Sequence, residues 1–317
     1  PVTTATGATS WRERLPSPPA WPARLPKIER VVSDEPPDGQ RLMLSYTLTV
    51  LGVVILAVLL NVGLVSQLQH FTAQRQLYDQ LRLSLAEGSV PIGQLDVNGE
   101  LVVPGTPVAL LEIPDLGIRE VVVEGTASEQ TKLGVGHRRD TPMPGQPGVA
   151  VLMGRAAAYG GVFKNLAQLR EGQELTITTG QGSSTYRVLG ARTGTTELPV
   201  LTTGQGRLTL ITATGRPFQP DGVLRVDADL VSRSYPRPPI AFAAGIIDGS
   251  EEALAGDKGR LFSLSWLLEL LVLAAVGGVW AWKRWSHPGT WIVAVPVLAT
   301  IGLACADRIA DLLPNLL

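Results

Sequence analysis

The chain has 317 residues, of which 45% are apolar and 17% charged. The charged share lies well under the usual quarter, which excludes a disordered protein and argues against an ordinary soluble enzyme. Twenty-seven basic and 28 acidic residues leave a formal charge of −1, so no bulk attraction for nucleic acid exists.

One cysteine, Cys305, and three histidines, His70, His137 and His287, exclude a disulfide framework and a zinc site built from Cys/His clusters. No glycine-rich phosphate or dinucleotide loop follows a strand pattern. No cofactor, nucleotide or metal is therefore expected.

Residues 1–41 form a proline-rich tail of mixed charge without a hydrophobic period, expected in the cytoplasm. From Leu42 to Gln74 no Asp, Glu, Lys or Arg occurs. Its first part, 42–65, is long enough at about 1.5 Å per residue to cross about 30 Å of hydrocarbon. The 41 residues before it speak against a cleaved signal peptide, so it is expected to stay as an anchor. The start Pro-Val-Thr fits removal of an initiator methionine in the cytosol.

Residues 66–94 follow as a stalk helix and linker, with Phe71, Tyr78, Leu81 and Leu85 at helical spacing. Between 95 and 234 the pattern changes to short apolar runs broken by Gly and Pro: VALLEI, REVVVEG, GVAVLMG, ELTITTG, STYRVLG, RLTLITAT and VLRVDADLV. Seven or more such strands predict a barrel or sandwich, large enough for one core. Val162 to Leu169 alone has a helical look.

A Pro/Gly/Ala-bearing linker, 235–260, would let the barrel move relative to the C-terminal segments. Two further apolar segments, 261–282 and 290–313, predict a second and a third span around a short loop, 283–289. Arg24, Lys27, Arg30 and Arg41 before the first span, and Lys283 and Arg284 between the last two, place these segments in the cytoplasm. The large middle domain and the region after the third span are then extracytoplasmic. Asp307, Arg308 and Asp311 would lie at the outer surface.

Glu269 is the one charge inside the second span, where burial demands a partner or protonation. A polar contact to another helix and an inert protonated carboxyl are its two readings. Gly277-Gly278 would let another helix approach closely. Trp280, Trp282, Trp285 and Trp291 fit an interfacial aromatic belt.

The runs IPDLGIREVVVEGT, LGVGHRRDTPMPGQPG, GRAAAYGGVFKNLAQLREGQEL, TYRV and LTLITAT, in this order, resemble the successive signatures of the sortases, closest to the class E type of actinobacteria. The resemblance covers about half of the chain. It implies a mainly β protein: a sortase-like eight-stranded β-barrel outer domain, here joined to three transmembrane helices. In active sortases it implies a cysteine transpeptidase acting on a surface protein's sorting signal, with a thiolate nucleophile, a histidine and an oxyanion-binding arginine.

Carried over position by position, the cysteine slot after Leu208–Thr212 is Ala213, the histidine slot after Gly154 is Arg155, and the arginine slot is Val223. A methyl group cannot attack a carbonyl, and an arginine cannot shuttle a proton at neutral pH. Arg225, two residues past Val223, shares its strand face and is a possible substitute. Thr212 and Thr214 flank Ala213 with hydroxyls but show no base. An engineered Cys→Ala trap is the rival reading; the parallel losses at Arg155 and Val223 point instead to drift.

The resemblance thus leads to a pseudo-sortase: a non-catalytic binding or scaffolding component of a cell-envelope assembly. Its expected partners are other membrane or surface proteins, membrane lipid and an extended peptide in the barrel groove. Candidate binding residues are Arg155, Arg225, His137 and Glu269, with Arg155 and Arg225 as fixed positive charge for a carboxylate or an acidic segment. Solvent exposure or an acidic neighbour is the alternative for Arg155. The alternative function is a sortase-class transpeptidase that works without its own cysteine or with a partner's residues.

Overall fold

A computed structural model describes residues 61–317 except 195–197, 243–244 and 286, together with residues 48, 52 and 56. The tail and most of the first span, 42–65, lie outside the described residues.

Eight strands close into a barrel: β1 Pro107–Ile113, β2 Ile118–Glu124, β3 Val135–His137, β4 Gly148–Met153, β5 Glu174–Thr179, β6 Gly182–Thr193, β7 Gly206–Arg216 and β8 Gln219–Leu230, in the order β1-β2-β3-β4-β7-β8-β6-β5. Closure leaves no unpaired sheet edge. The seven runs read from the alternating pattern are seven of these strands. The eighth, β3, has three residues, too few for a period.

Alternation divides the walls. Ala150 and Leu152 of β4, Leu208 and Leu210 of β7, and Leu224, Val226 and Ala228 of β8 fill the interior with Tyr186, Phe163 and Leu166. By period two, Met153, Ile211, Ala213, Val223 and Arg225 stand on the outer wall.

Among the described residues the α-helices beside the barrel are α1 Ser66–Glu87, α2 Ser128–Leu133, α3 Leu261–Arg284 and α4 His287–Leu312. Helix α1 is no free stalk. Leu77 and Leu81 are buried against Val90, Val121 and Val123, and Gln74 exchanges hydrogen bonds with the backbone of Val121 while donating to the carbonyl of Leu133 at 2.8 Å. His70 Nε2 stands 3.2 Å from Glu120 Oε1. The docked face is therefore His70, Gln74, Leu77 and Leu81, whereas Phe71 and Leu85 of the expected stripe are exposed. Two polar residues complete the face through hydrogen bonds, which an apolar period does not register.

Val162 to Leu169 contains one short 3-10 turn, Leu166–Gln168, and not a helix. Helix α2 lies where no helix was expected, because SEQTKL carries no apolar repeat.

Helices α3 and α4 are long and apolar enough to cross a membrane. Their apolar side chains, among them Phe262, Leu273 and Ile292, are exposed, as anchoring in lipid would require. A Cβ on Gly278 would stand 3.6 Å from that of Ala294, so the close approach allowed by Gly278 is used by α4 of the same chain. Glu269 is exposed on α3 and makes no hydrogen bond or ion pair among the described residues.

Described residues of the segment 235–260 contact the barrel and α4. Gln94 accepts from the amides of Ala241 and Phe242, the Gly245 amide donates to Asp140, and Arg139 pairs with buried Glu251. Gly256 sits so close to α4 that an added Cβ would collide with the Leu312 carbonyl oxygen.

Candidate functional site

The three positions assigned by resemblance converge. Ala213 and Val223 are directly opposite partners in the β7–β8 ladder, Ile211 is opposite Arg225, and Met153 of β4 is opposite Ile211. Gly154 continues the ladder by donating to the Ile211 carbonyl at 3.0 Å, which places Arg155 at the mouth of β4. Directly paired residues hold their Cβ atoms roughly 5 Å apart, so a side chain at 213 touches one at 223.

This part of the outer wall is covered. Leu316 is fully buried against Met153 and Ile211, with Ala213, Val223, Ala253 and Leu254 packed around it. Its carbonyl accepts from the amide of Ala156 at 2.8 Å. Asn315, also fully buried, donates from its side chain to the carbonyls of Thr126 (2.7 Å) and Glu252 (2.9 Å), and from its backbone to Ala255 (2.8 Å).

Arg155 is 1% exposed. Its guanidinium donates to Ser128 Oγ at 2.7 Å, to the Ser128 carbonyl at 3.1 Å and to the Leu317 main-chain oxygen at 3.2 Å, and it lies 5.0 Å from the Tyr159 ring centroid. It does not face solvent, and Asp311 and Asp307 lie near enough to act on its charge, as the acidic-neighbour alternative has it. Burial pushes its pKa down to about 10, opposed by the nearby Tyr159, Asp311 and Asp307. It remains protonated at neutral pH and cannot act as a general base.

Around it, Lys132 Nζ contacts Asp307 Oδ1 at 3.0 Å and Asp311 Oδ1 at 2.5 Å, and Tyr159 donates to Asp307 at 3.4 Å. Burial raises the Tyr159 pKa, as do the two aspartates, so the phenol stays a donor. Asp311 is 1% exposed and faces Lys132 of α2.

The remaining candidates separate from this cluster. Arg225 is half-buried beside Ile211 and makes no hydrogen bond or ion pair among the described residues. His137 is 1% exposed on β3, with Nδ1 2.8 Å from Glu124 Oε2 and Nε2 3.0 Å from the Pro142 carbonyl. Burial alone would lower its pKa; the Glu124 carboxylate outweighs burial and raises it. Thr212 is buried with its hydroxyl unpartnered, and the Thr214 hydroxyl donates to Asp221 at 2.7 Å. Among the described residues no group of His, Cys, Asp and Glu could hold a metal ion.

Sequence reasoning missed Ser128, Tyr159, Asn315 and Leu316. Tyr159 holds a left-handed backbone at φ 49°, unusual for an aromatic residue, but no pattern of residue types announces it.

Residues 111–228 match the family model of the sortase domain. The chain carries a sortase domain. Sortase D of Bacillus subtilis (strain 168) is 29% identical over 115 residues, which is 36% of this chain and 57% of that protein; the chain thus spans just over half of that relative's length. Among solved structures, a Clostridium perfringens sortase D5 transpeptidase is 21% identical with a TM-score of 0.42, covering 51% of this chain and 99% of that one. Sortase E1 from Streptomyces coelicolor is 24% identical with a TM-score of 0.36, covering 42% of this chain and 92% of that one. A sortase E mutant from Streptomyces avermitilis is 31% identical with a TM-score of 0.36, covering 41% and 91%.

Proposed function

We propose that this chain is a class E-like sortase homologue without sortase catalysis, which serves as a binding or scaffolding component of a cell-envelope assembly. In this reading three spans anchor it, the N-terminal tail is cytoplasmic, and the sortase domain faces outward. The observation that carries the reading is the Ala213–Val223 pair: the ladder keeps the two positions in contact, yet neither side chain can attack or stabilise an acyl group. Arg155 adds to it, because a buried, permanently charged guanidinium replaces the acid–base group that transpeptidation needs.

Two surfaces are left for partners. Glu269 is an exposed carboxylate on an apolar helix, and such groups seek a polar contact from a neighbouring helix. Arg225 offers a cation on the outer wall that is unpaired among the described residues. The test is purification of the tagged chain from its native membranes in mild detergent. Recovery in a defined complex, weakened by Glu269→Leu or Arg225→Ala, supports the reading; recovery of the chain alone while reference complexes survive contradicts it.

A further inference from the structure

Residues 61–65 run without a break into α1, so in the reading of 42–65 as a span α1 begins where the bilayer ends. Helix side chains lean toward the N-terminus, and the Arg75 guanidinium accordingly lies back over the Phe71 ring, 4.1 Å from its centroid. Its charge therefore stands roughly 9 Å along the helix past Val65 at about 1.5 Å per residue. A headgroup layer reaches about 5–8 Å out from the hydrocarbon, so the two are neighbours. Leu68 and Phe71, both exposed on this first part of α1, give apolar contact below the charge.

Between α1 and strands β1 and β2 opens a cleft of about 370 Å³, lined in part by His70, Phe71, Arg75, Tyr78, Arg119 and Glu120, a size that holds small polar ligands. Arg75 makes no hydrogen bond or ion pair among the described residues. Phe71 takes the flat face of its guanidinium, and the N–H edge stays open. Arg119 lies 5.0 Å from the Tyr78 ring centroid and donates from Nε to Glu112 and from one Nη to the Tyr78 hydroxyl. Its other Nη has no partner among the described residues.

The same cleft holds an unused acceptor. Glu120 meets His70 Nε2 through Oε1 at 3.2 Å, on a histidine side chain 9% exposed. Glu120 Oε2 and His70 Nδ1 are buried without a hydrogen-bond partner. A buried acceptor left without a donor is costly, and a ligand hydroxyl would supply the donor.

We infer that this cleft binds the headgroup of an anionic phospholipid whose head carries free hydroxyls, such as a glycerol head. The phosphate lies on the open N–H groups of Arg75 and Arg119, and a head hydroxyl donates to Glu120 Oε2. Two open cations call for an anion and an orphaned acceptor calls for a donor; a polyol phosphodiester carries both. The inference goes beyond the scaffold reading and rests only on the anchoring of 42–65 in the bilayer.

Native mass spectrometry of the full chain in uncharged detergent, counting bound lipids, tests it. Phosphatidylglycerol should bind at least roughly tenfold more tightly than phosphatidylcholine, which has no net charge, and at least roughly threefold more tightly than phosphatidylmethanol, which has the charge but no hydroxyl. Arg75→Gln, at an exposed position, should weaken phosphatidylglycerol about tenfold. Arg170→Gln lowers the net charge equally and should change binding less than about twofold. Equal binding of phosphatidylglycerol and either other lipid, or equal losses in the two variants, overturns the proposal. Glycerol 3-phosphate should not compete; if it displaces phosphatidylglycerol at equal concentration, the ligand is a soluble phosphate ester and the lipid assignment falls. Release of the chain from membranes by alkaline carbonate would remove the anchor reading itself, whereas a retained chain that does not discriminate between headgroups removes this site alone.

Discussion

Replacing Lys132 by Met tests how the sortase domain is held on α4. The Lys132 side chain is 10% exposed and meets two carboxylates, Asp311 at 2.5 Å with 2% side-chain exposure and Asp307 at 3.0 Å with 35%. Removing one partner of a buried pair typically costs about 3–5 kcal/mol, because the other charge is left stranded. Arg308, 3.3 Å from Asp311, retains part of the compensation, and Asp307 can turn to water. The expected loss is therefore about 2–3 kcal/mol, or a ~30- to 150-fold rise in opening.

The Asp257 amide, which donates to the Asp311 carbonyl at 3.0 Å, reports that opening by hydrogen exchange. Asp311→Asn in the Lys132→Met background removes the stranded charge and should recover at least about 1 kcal/mol. A Lys132→Met variant within about 0.5 kcal/mol of the wild type would refute the reasoning, as would a double variant at the sum of the single losses.

Two further outcomes are expected. His137 gains a carboxylate partner on folding and its folded pKa is raised, so its contribution is fully present below the unfolded value of about 6.5. That contribution is lost as pH rises through the raised folded value; thermal stability should fall over this range in the wild type and fall less in His137→Gln, as measured by melting at constant ionic strength. Leu81→Ala removes a 1%-exposed side chain and should cost about 3 kcal/mol in the docking of α1, whereas Leu85→Ala, at 36% exposure, should cost under about 1 kcal/mol; exchange at the α1 amides distinguishes them.

How far the sequence carried the fold depended on which interactions have a period. Strands β7 and β8 were legible because Leu208, Leu210, Val226 and Ala228 alternate with outer-wall residues, whereas the pairing of Ala213 with Val223 is seen only in the ladder. The three-residue β3 and the polar α2 carry no such repeat. The α1 face was misread by one residue at its start because His70 and Gln74 dock through hydrogen bonds. Arg155 was legible as an unsuitable acid–base group, but its partners come from Ser128 and Leu317, 27 and 162 positions away, which residue types alone do not announce. Leu316 sat within an apolar stretch dominated by the third span, so its pocket was invisible.

The central claim concerns the Ala213 position, and intact-mass analysis after incubation with an electrophilic sorting-signal peptide tests it most directly. The wild-type chain, purified from native membranes with its partners, should show no mass increase under conditions that label an active sortase. The chain carrying Ala213→Cys and Arg155→His should gain a thiol adduct without sustained transpeptidation, because Val223 still provides no oxyanion donor. A covalent peptide adduct on the wild-type chain would contradict the account.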